Sequence, residues 1–217
     1  MTEIKICGVT EKRHLDVALS HGARFIGLVF YPKSPRFIDP EMAKILARNA
    51  PTGVRMIGLF VDPDDAWLDH VIAAVPLDMI QLHGTETPVR VQEIKSKFHL
   101  PVIKAFPVAT RDDLGVVSAY EPIVDWLLFD AKAVRSAEKL DPLLPGGNGQ
   151  SFDWTILLGR KFSKPWMLSG GLHAGNVRDA LSLLSPDAVD VSSGVEACLG
   201  QKDALKIAEF IQTVKNS

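Results

Sequence analysis

Eight short apolar runs recur along the chain, at residues 4–7, 25–30, 56–61, 79–82, 102–106, 126–129, 166–168 and 188–191. They are near-continuous rather than alternating, as in strands covered on both faces by helices. Between them the spacing turns helical. Leu68, Val71, Ile72 and Val75 fall at i, i+3, i+4 and i+7, as do Val177, Ala180, Leu181 and Leu184, and Ile207, Phe210, Ile211 and Val214. Met42, Ile45 and Leu46 form a shorter stripe of the same kind. Asp39-Pro40 and Asp62-Pro63 each offer a capping oxygen followed by a proline suited to a first helical position. Eight strand–helix units recurring at roughly 20–30 residues, with one longer interval of about 40 before the seventh, predict an α/β chain folded as a single-domain (β/α)8 TIM barrel. An open doubly wound sheet fits the local pattern too, but even repetition favours closure. No linker or composition break divides residues 1–217, so one domain is expected.

Composition narrows the function classes. Apolar residues at 47% and charged residues at 23% are globular values and exclude disorder. A net charge of −2 argues against a broad basic surface, so no nucleic-acid partner is expected. No run of about 18 apolar residues occurs, so no membrane span is expected. The first residues carry no basic leader with an apolar core, and Cys7 and Cys198 can form at most one pair. A cytoplasmic protein with reduced thiols is the simplest expectation.

Barrel enzymes carry their chemistry on the loops after the strands, so those positions come first. Cys7 closes the first run and precedes Gly8. By residue type it reads as small apolar filler, but its place at a strand end makes it a candidate. Cys198 has no charged constellation around it and reads as structural. The loop Tyr31-Pro32-Lys33-Ser34-Pro35-Arg36 holds two cations between prolines, and the planar fork of Arg36 suits a substrate carboxylate. His83 is the one histidine at a strand end; His14, His21, His70, His99 and His173 fall on helices or loops, and no Cys/His spacing suggests a metal site. Asp130 ends the sixth apolar run, where burial would raise its pKa and suit a general acid. Gly170-Gly171 and Ser192-Ser193-Gly194 are small-residue turns after the last two strands, where barrels commonly bind phosphate. The connection 131–151 is long enough to be expected as a mobile lid, with a plain insertion as its alternative.

These blocks resemble those of the phosphoribosylanthranilate isomerase family of tryptophan biosynthesis. The resemblance rests on Lys5-Ile6-Cys7-Gly8-Val9-Thr10, Phe30 through Arg36, Gln81-Leu82-His83-Gly84 and Phe129-Asp130-Ala131-Lys132. It continues in Pro145-Gly146-Gly147-Asn148-Gly149, Phe152-Asp153-Trp154, Ser169-Gly170-Gly171-Leu172 and Asp190 through Glu196. It implies a cofactor-independent Amadori rearrangement of a small phosphorylated substrate, N-(5-phosphoribosyl)anthranilate, by a monomer or homodimer. Cys7 would be the base at the sugar C2 proton and Asp130 the acid at the ring oxygen. Arg36 would hold the anthranilate carboxylate, Asp190 would face the ribose, His83 would line the substrate site, and Gly170, Gly171, Ser192, Ser193 and Gly194 would bind the phosphate. Two departures, Asn148 for a usual Thr and Ser169 for a usual Ala, are expected to touch loop behaviour only.

Such a pair poses a protonation problem. A thiolate base and a protonated carboxyl acid oppose reference pKa values near 8.5 and 3.9, a gap worth about 6 kcal/mol. Nearby cations and loop N–H groups are expected to lower the thiol's pKa, and desolvation to raise the carboxyl's. Competing readings are weaker. A histidine-pathway isomerase would want an acidic residue in place of Cys7, a pentulose-phosphate epimerase paired histidines, and a non-catalytic barrel a broken catalytic pair.

Overall fold

A computed structural model describes residues 1–132 and 151–217. The proposed lid over most of 131–151, with Asn148 and the glycine-rich block 145–149, lies outside the described residues. The strands are β1 (Glu3–Cys7), β2 (Phe25–Val29), β3 (Arg55–Phe60), β4 (Met79–Leu82), β5 (Val102–Val108), β6 (Trp126–Ala131), β7 (Trp166–Leu168) and β8 (Ala188–Val191). They close into one parallel barrel in sequence order, with β8 returning to β1. Helices α1 (Lys12–His21), α2 (Pro40–Arg48), α3 (Asp65–Ala74), α4 (Pro88–Phe98) and α5 (Val177–Leu183) follow the first four strands and the seventh. A hairpin of β9 (Glu196–Cys198) and β10 (Gln201–Lys202) separates β8 from the last helix, α6 (Ala204–Lys215). The (β/α)8 barrel expected from the spacing is therefore present.

Strand alternation divides the apolar residues into two sets. Ile4, Ile6, Ile26, Leu28, Ile80, Leu82, Leu127 and Phe129 pack outward against the helices in the main cluster. Phe25, Ile57, Met79, Ile103, Leu128, Met167 and Ala188 fill the barrel interior. Above that plug the inward positions turn polar, with Lys5, Gln81 and Asp190 all buried. No helix among the described residues is long and apolar enough to cross a membrane.

Several local expectations change. The connection after β5 is a 3-10 helix, Arg111–Ala119, and the one helix described after β6 is the single turn Trp154–Leu157. Gly115, Val116 and Val117 sit mid-segment in the former, a glycine and two β-branched residues that weaken an α-helix. In α2 the Met42–Ile45 stripe faces solvent, each at 53% exposure, while Ala43, Leu46 and Ala47 are buried. Two alanines on that face let the helix axis lie close to the barrel, and the longer apolar side chains are left outside. Asp39 caps α2 as expected, accepting from the Glu41 N–H with Pro40 at the first helical position. Asp62 does not cap α3. Asp64 does, accepting from the Trp67 N–H at 2.7 Å. Asp62 adopts a left-handed conformation (φ 44°) and accepts instead from the Thr85 N–H at 2.7 Å, tying two loops together. Cys198 is exposed on β9, its thiol donating to Gln201 Oε1 at 3.4 Å, so it is no core residue.

Candidate active site

Cys7 is the last residue of β1, buried at the C-terminal rim with Val29 and Leu59 beside it. Its neighbour on β2 is Gly27, and a Cβ at that position would lie 2.8 Å from Cys7 Sγ. The glycine therefore makes the room that the thiol occupies. Two residues back on the same face, Lys5 is fully buried and donates to Asp190 Oδ1 at 2.8 Å. Lys5 and Asp190 are register partners on β1 and β8, so the sheet itself fixes this pair. Ser169, at the end of β7, donates to Asp190 Oδ2 at 3.1 Å and satisfies the second oxygen. The departure at Ser169 thus reaches a buried charge network as well as a loop.

Electrostatics around the thiol run against the expectation. Burial pushes the Cys7 thiol up, and the nearby Lys5 and Lys202 ammonium groups only partly pull it back. Burial also pulls Lys5 down, but Asp190 and Cys7 more than restore it, so it stays a firm cation. The cations are present, then, but desolvation outweighs them.

Asp130 is the fifth residue of β6, inside the strand rather than beyond its end. Burial is only part of its surroundings. The Ala131 N–H donates to Oδ1 at 2.9 Å, and His83 Nε2 lies 3.1 Å from Oδ2. Behind His83, Gln81 Nε2 lies 2.9 Å from His83 Nδ1. With the Gln81 amide donating, Nδ1 accepts and the proton sits on Nε2, facing a carboxylate. Among the described residues Gln81 Oε1 is buried without a partner, so rotating the amide would let it accept from Nδ1–H instead. Nε2 would then be bare and would accept from a protonated Asp130. The chain Gln81–His83–Asp130 can accommodate either form of the acid.

The phosphate-turn candidates come together on one side of the rim. Gly170 has φ 89°, and a Cβ there would strike the Ala131 backbone, so the turn after β7 packs tightly on the end of β6. Gly194 packs in the same way against the Leu172 carbonyl, joining the turns after β7 and β8. A cleft of about 460 Å³ opens beside them, lined by His173, Ala174, Gly175, Ser193, Gly194, Lys206 and Glu209. Ser192 Oγ donates to the Cys7 carbonyl at 3.1 Å, which links this turn to the thiol's own residue. In strand order the rim runs from Asp130 (β6) through the turns after β7 and β8 to Cys7 (β1).

Arg36 does not stand as an unengaged surface cation. It is buried, and its Nε and Nη2 donate to the two oxygens of Glu196 at 2.7 and 3.0 Å.

Comparison with known proteins decides the family. A family sequence model described as N-(5'phosphoribosyl)anthranilate (PRA) isomerase matches residues 4–213. The chain belongs to this isomerase family. A curated member from Rhodospirillum centenum, N-(5'-phosphoribosyl)anthranilate isomerase, is 52% identical over 209 residues, covering 96% of both chains. Among solved structures, the dimeric phosphoribosylanthranilate isomerase of Thermotoga maritima, as mutually generated monomers, superposes with a TM-score of 0.85 at 34% identity, covering both chains fully. A phosphoribosyl anthranilate isomerase in complex with reduced 1-(o-carboxyphenylamino)-1-deoxyribulose 5-phosphate gives 0.83 at 34% identity, again with full coverage.

Sequence reading of this isomerase chain missed Lys5, Gln81, Glu196 and Lys202 as participants. Lys5 and Gln81 left a signal, a polar residue inside an otherwise apolar strand run. Glu196 and Lys202 sit in a hairpin whose packing against the Arg36 loop no local pattern announces.

Proposed function

We propose that this chain catalyses the Amadori rearrangement of N-(5-phosphoribosyl)anthranilate with Cys7 as general base and Asp130 as general acid. Asp130 donates its proton to the ring oxygen as the C1–O bond breaks, leaving a C1–N iminium. Cys7 thiolate then removes the C2 proton, and those electrons form the C1–C2 double bond of an enolamine. Tautomerisation gives the 1-amino-1-deoxyketose. No cofactor is called for, since both steps are proton transfers.

The observation that carries this reading is the rim itself. Cys7 ends β1 and Asp130 is the penultimate residue of β6, and the two small-residue turns after β7 and β8 lie between them. A phosphate held at Gly170, Gly171, Ser192, Ser193 and Gly194 would place the sugar between acid and base. Arg36 would meet the anthranilate carboxylate from the β2 side, while Asp190 and His83 line the sugar. The ligand named for the relative's complex has this same outline of aryl carboxylate, open five-carbon chain and phosphate.

Resting protonation is the obstacle. The buried thiol favours its neutral form, the reverse of what the reaction needs. Lys5 favours the thiolate and the His83–Gln81 chain accepts a protonated Asp130, so both groups are supported in the reactive state. All these residues come from one chain, so a monomer or a homodimer can carry the site, in a cytoplasmic, cofactor-independent enzyme.

The test is loss of anthranilate-conjugate fluorescence on adding the protein to freshly made phosphoribosylanthranilate. Cys7→Ala and Asp130→Asn should each cut kcat by about 10²–10⁴-fold while substrate binding is largely kept. Near wild-type turnover in either variant removes that residue from its role, and no fluorescence change with the wild type removes the reaction.

A further inference from the structure

Three buried charges from three separate elements meet beside the phosphate turn. Glu196, the first residue of β9, receives four donors: Arg36 Nε at 2.7 Å, Arg36 Nη2 at 3.0 Å, Lys202 Nζ at 2.7 Å and the Gly200 N–H at 3.2 Å. A carboxylate so saturated has little capacity left for a ligand or a proton. What it does is hold a guanidinium. Grasping the Nε/Nη2 edge in a fork fixes the plane of the Arg36 guanidinium.

Lys202 extends the same hold to the phosphate side. Its ammonium donates to Glu196, to the Ser192 carbonyl at 2.9 Å and to Ser192 Oγ at 3.1 Å. The turn between β9 and β10 lies directly on the Arg36 loop, for a Cβ at Gly200 would collide with the Pro35 carbonyl.

We propose that Glu196 is the positioning residue of Arg36, and that Lys202 ties this pair to the Ser192 turn, so that selectivity for an aryl carboxylate depends on Glu196. The inference rests on the reading that Arg36 meets the anthranilate carboxylate. Glu196 touches no substrate in this scheme and acts through the orientation of another side chain. A misaligned guanidinium would still be a cation, but it would lose the paired geometry that distinguishes a carboxylate.

Titration calorimetry with two product analogues tests this without needing turnover. One is reduced 1-(o-carboxyphenylamino)-1-deoxyribulose 5-phosphate, and the other is the same compound without the carboxylate. Glu196→Gln should weaken the carboxylate analogue about thirtyfold and its partner less than about threefold. Glu196→Asp keeps the buried charge, and so the fold, while shortening the reach. It should show the same split in smaller measure and decides the question should Glu196→Gln not fold. Equal weakening of both analogues, or no weakening of the carboxylate one, overturns the inference. Arg36→Met is the control for the underlying reading. If it fails to discriminate between the analogues, Arg36 does not meet the carboxylate and both claims fall together.

Discussion

Lys5 Nζ lies 2.8 Å from Asp190 Oδ1, and the two residues are register partners on β1 and β8. A buried cation thus sits two residues below the thiol on the same face of the same strand, anchored by an aspartate whose second oxygen is satisfied by Ser169. The pair lets the barrel hold positive charge beneath Cys7 without leaving it uncompensated.

Removing that cation should show first in the thiol. Lys5→Met should raise the pKa of Cys7 further and slow its alkylation by iodoacetamide at neutral pH. The measurement needs a Cys198→Ser background, because Cys198 is exposed. It would also leave Asp190 buried and unpaired, at a cost of about 3–5 kcal/mol, so Lys5→Met/Asp190→Asn is the matched control for stability. An unchanged pH profile of alkylation would remove Lys5 from the thiol's environment.

The pH dependence of turnover follows from the same burial. Because the Cys7 thiol is held above its usual value, the thiolate base is a minority species at neutral pH. Because the reaction also needs a protonated acid, each gain in thiolate is offset by a loss of that acid, so kcat/KM should stay level through neutral pH and fall only beyond the ordinary thiol range of about 8.5. A profile that climbs steadily through about pH 7–9 would contradict a protonated acid working beside the thiolate.

Gly27→Ala tests how closely the thiol is placed. The added methyl would lie 2.8 Å from Cys7 Sγ, so the thiol must move. Stability should fall by about 1–3 kcal/mol from overpacking, and kcat by up to about 10²-fold from misplacement of the base. Thermal unfolding and steady-state kinetics separate the two effects.

Acid should loosen the Arg36–Glu196 pair in a defined window. Burial pushes the Glu196 carboxyl up, but Arg36 and Lys202 outweigh it and hold it below the usual carboxylate range. A depressed carboxylate stabilises the fold fully above its unfolded value of about 4.3, and that stability is lost as pH falls below it. Glu196→Gln should flatten this part of the curve of stability against pH, measured by urea unfolding between pH 6 and 3.

The burial pattern of α2 makes a contrast that is simple to measure. Leu46→Ala should cost about 2–5 kcal/mol, whereas Met42→Lys or Ile45→Lys should stay within about 0.5 kcal/mol. Denaturant unfolding of the three variants decides between the two faces.

Much of the barrel was legible because strand burial on both faces writes itself into the chain as near-continuous apolar runs. Their spacing carried the eight-fold repeat, and the rim positions of Cys7, Asp130, Gly170 and Ser192 followed from it. Helix faces were less legible. In α2 the larger apolar side chains stand outward and small alanines inward, since hydrophobicity alone does not tell how closely two backbones approach. The caps divided in the same way: Asp39 acts locally and was readable, whereas Asp62 is claimed by Thr85, 23 residues away.

The sequence by itself determined the repeat, the closure into a barrel, the family and the identity of the candidate acid and base. Only the tertiary structure decided their electrostatic company: Lys5 against Asp190, His83 against Asp130, and Arg36 against Glu196, partners 185, 47 and 160 residues apart. Apolar periodicity is a local property, repeated every few residues and dictated by which face a strand or helix buries. Charge pairing is set by which strand ends and loops barrel closure brings side by side, and pairs formed at such separations leave no local pattern to read.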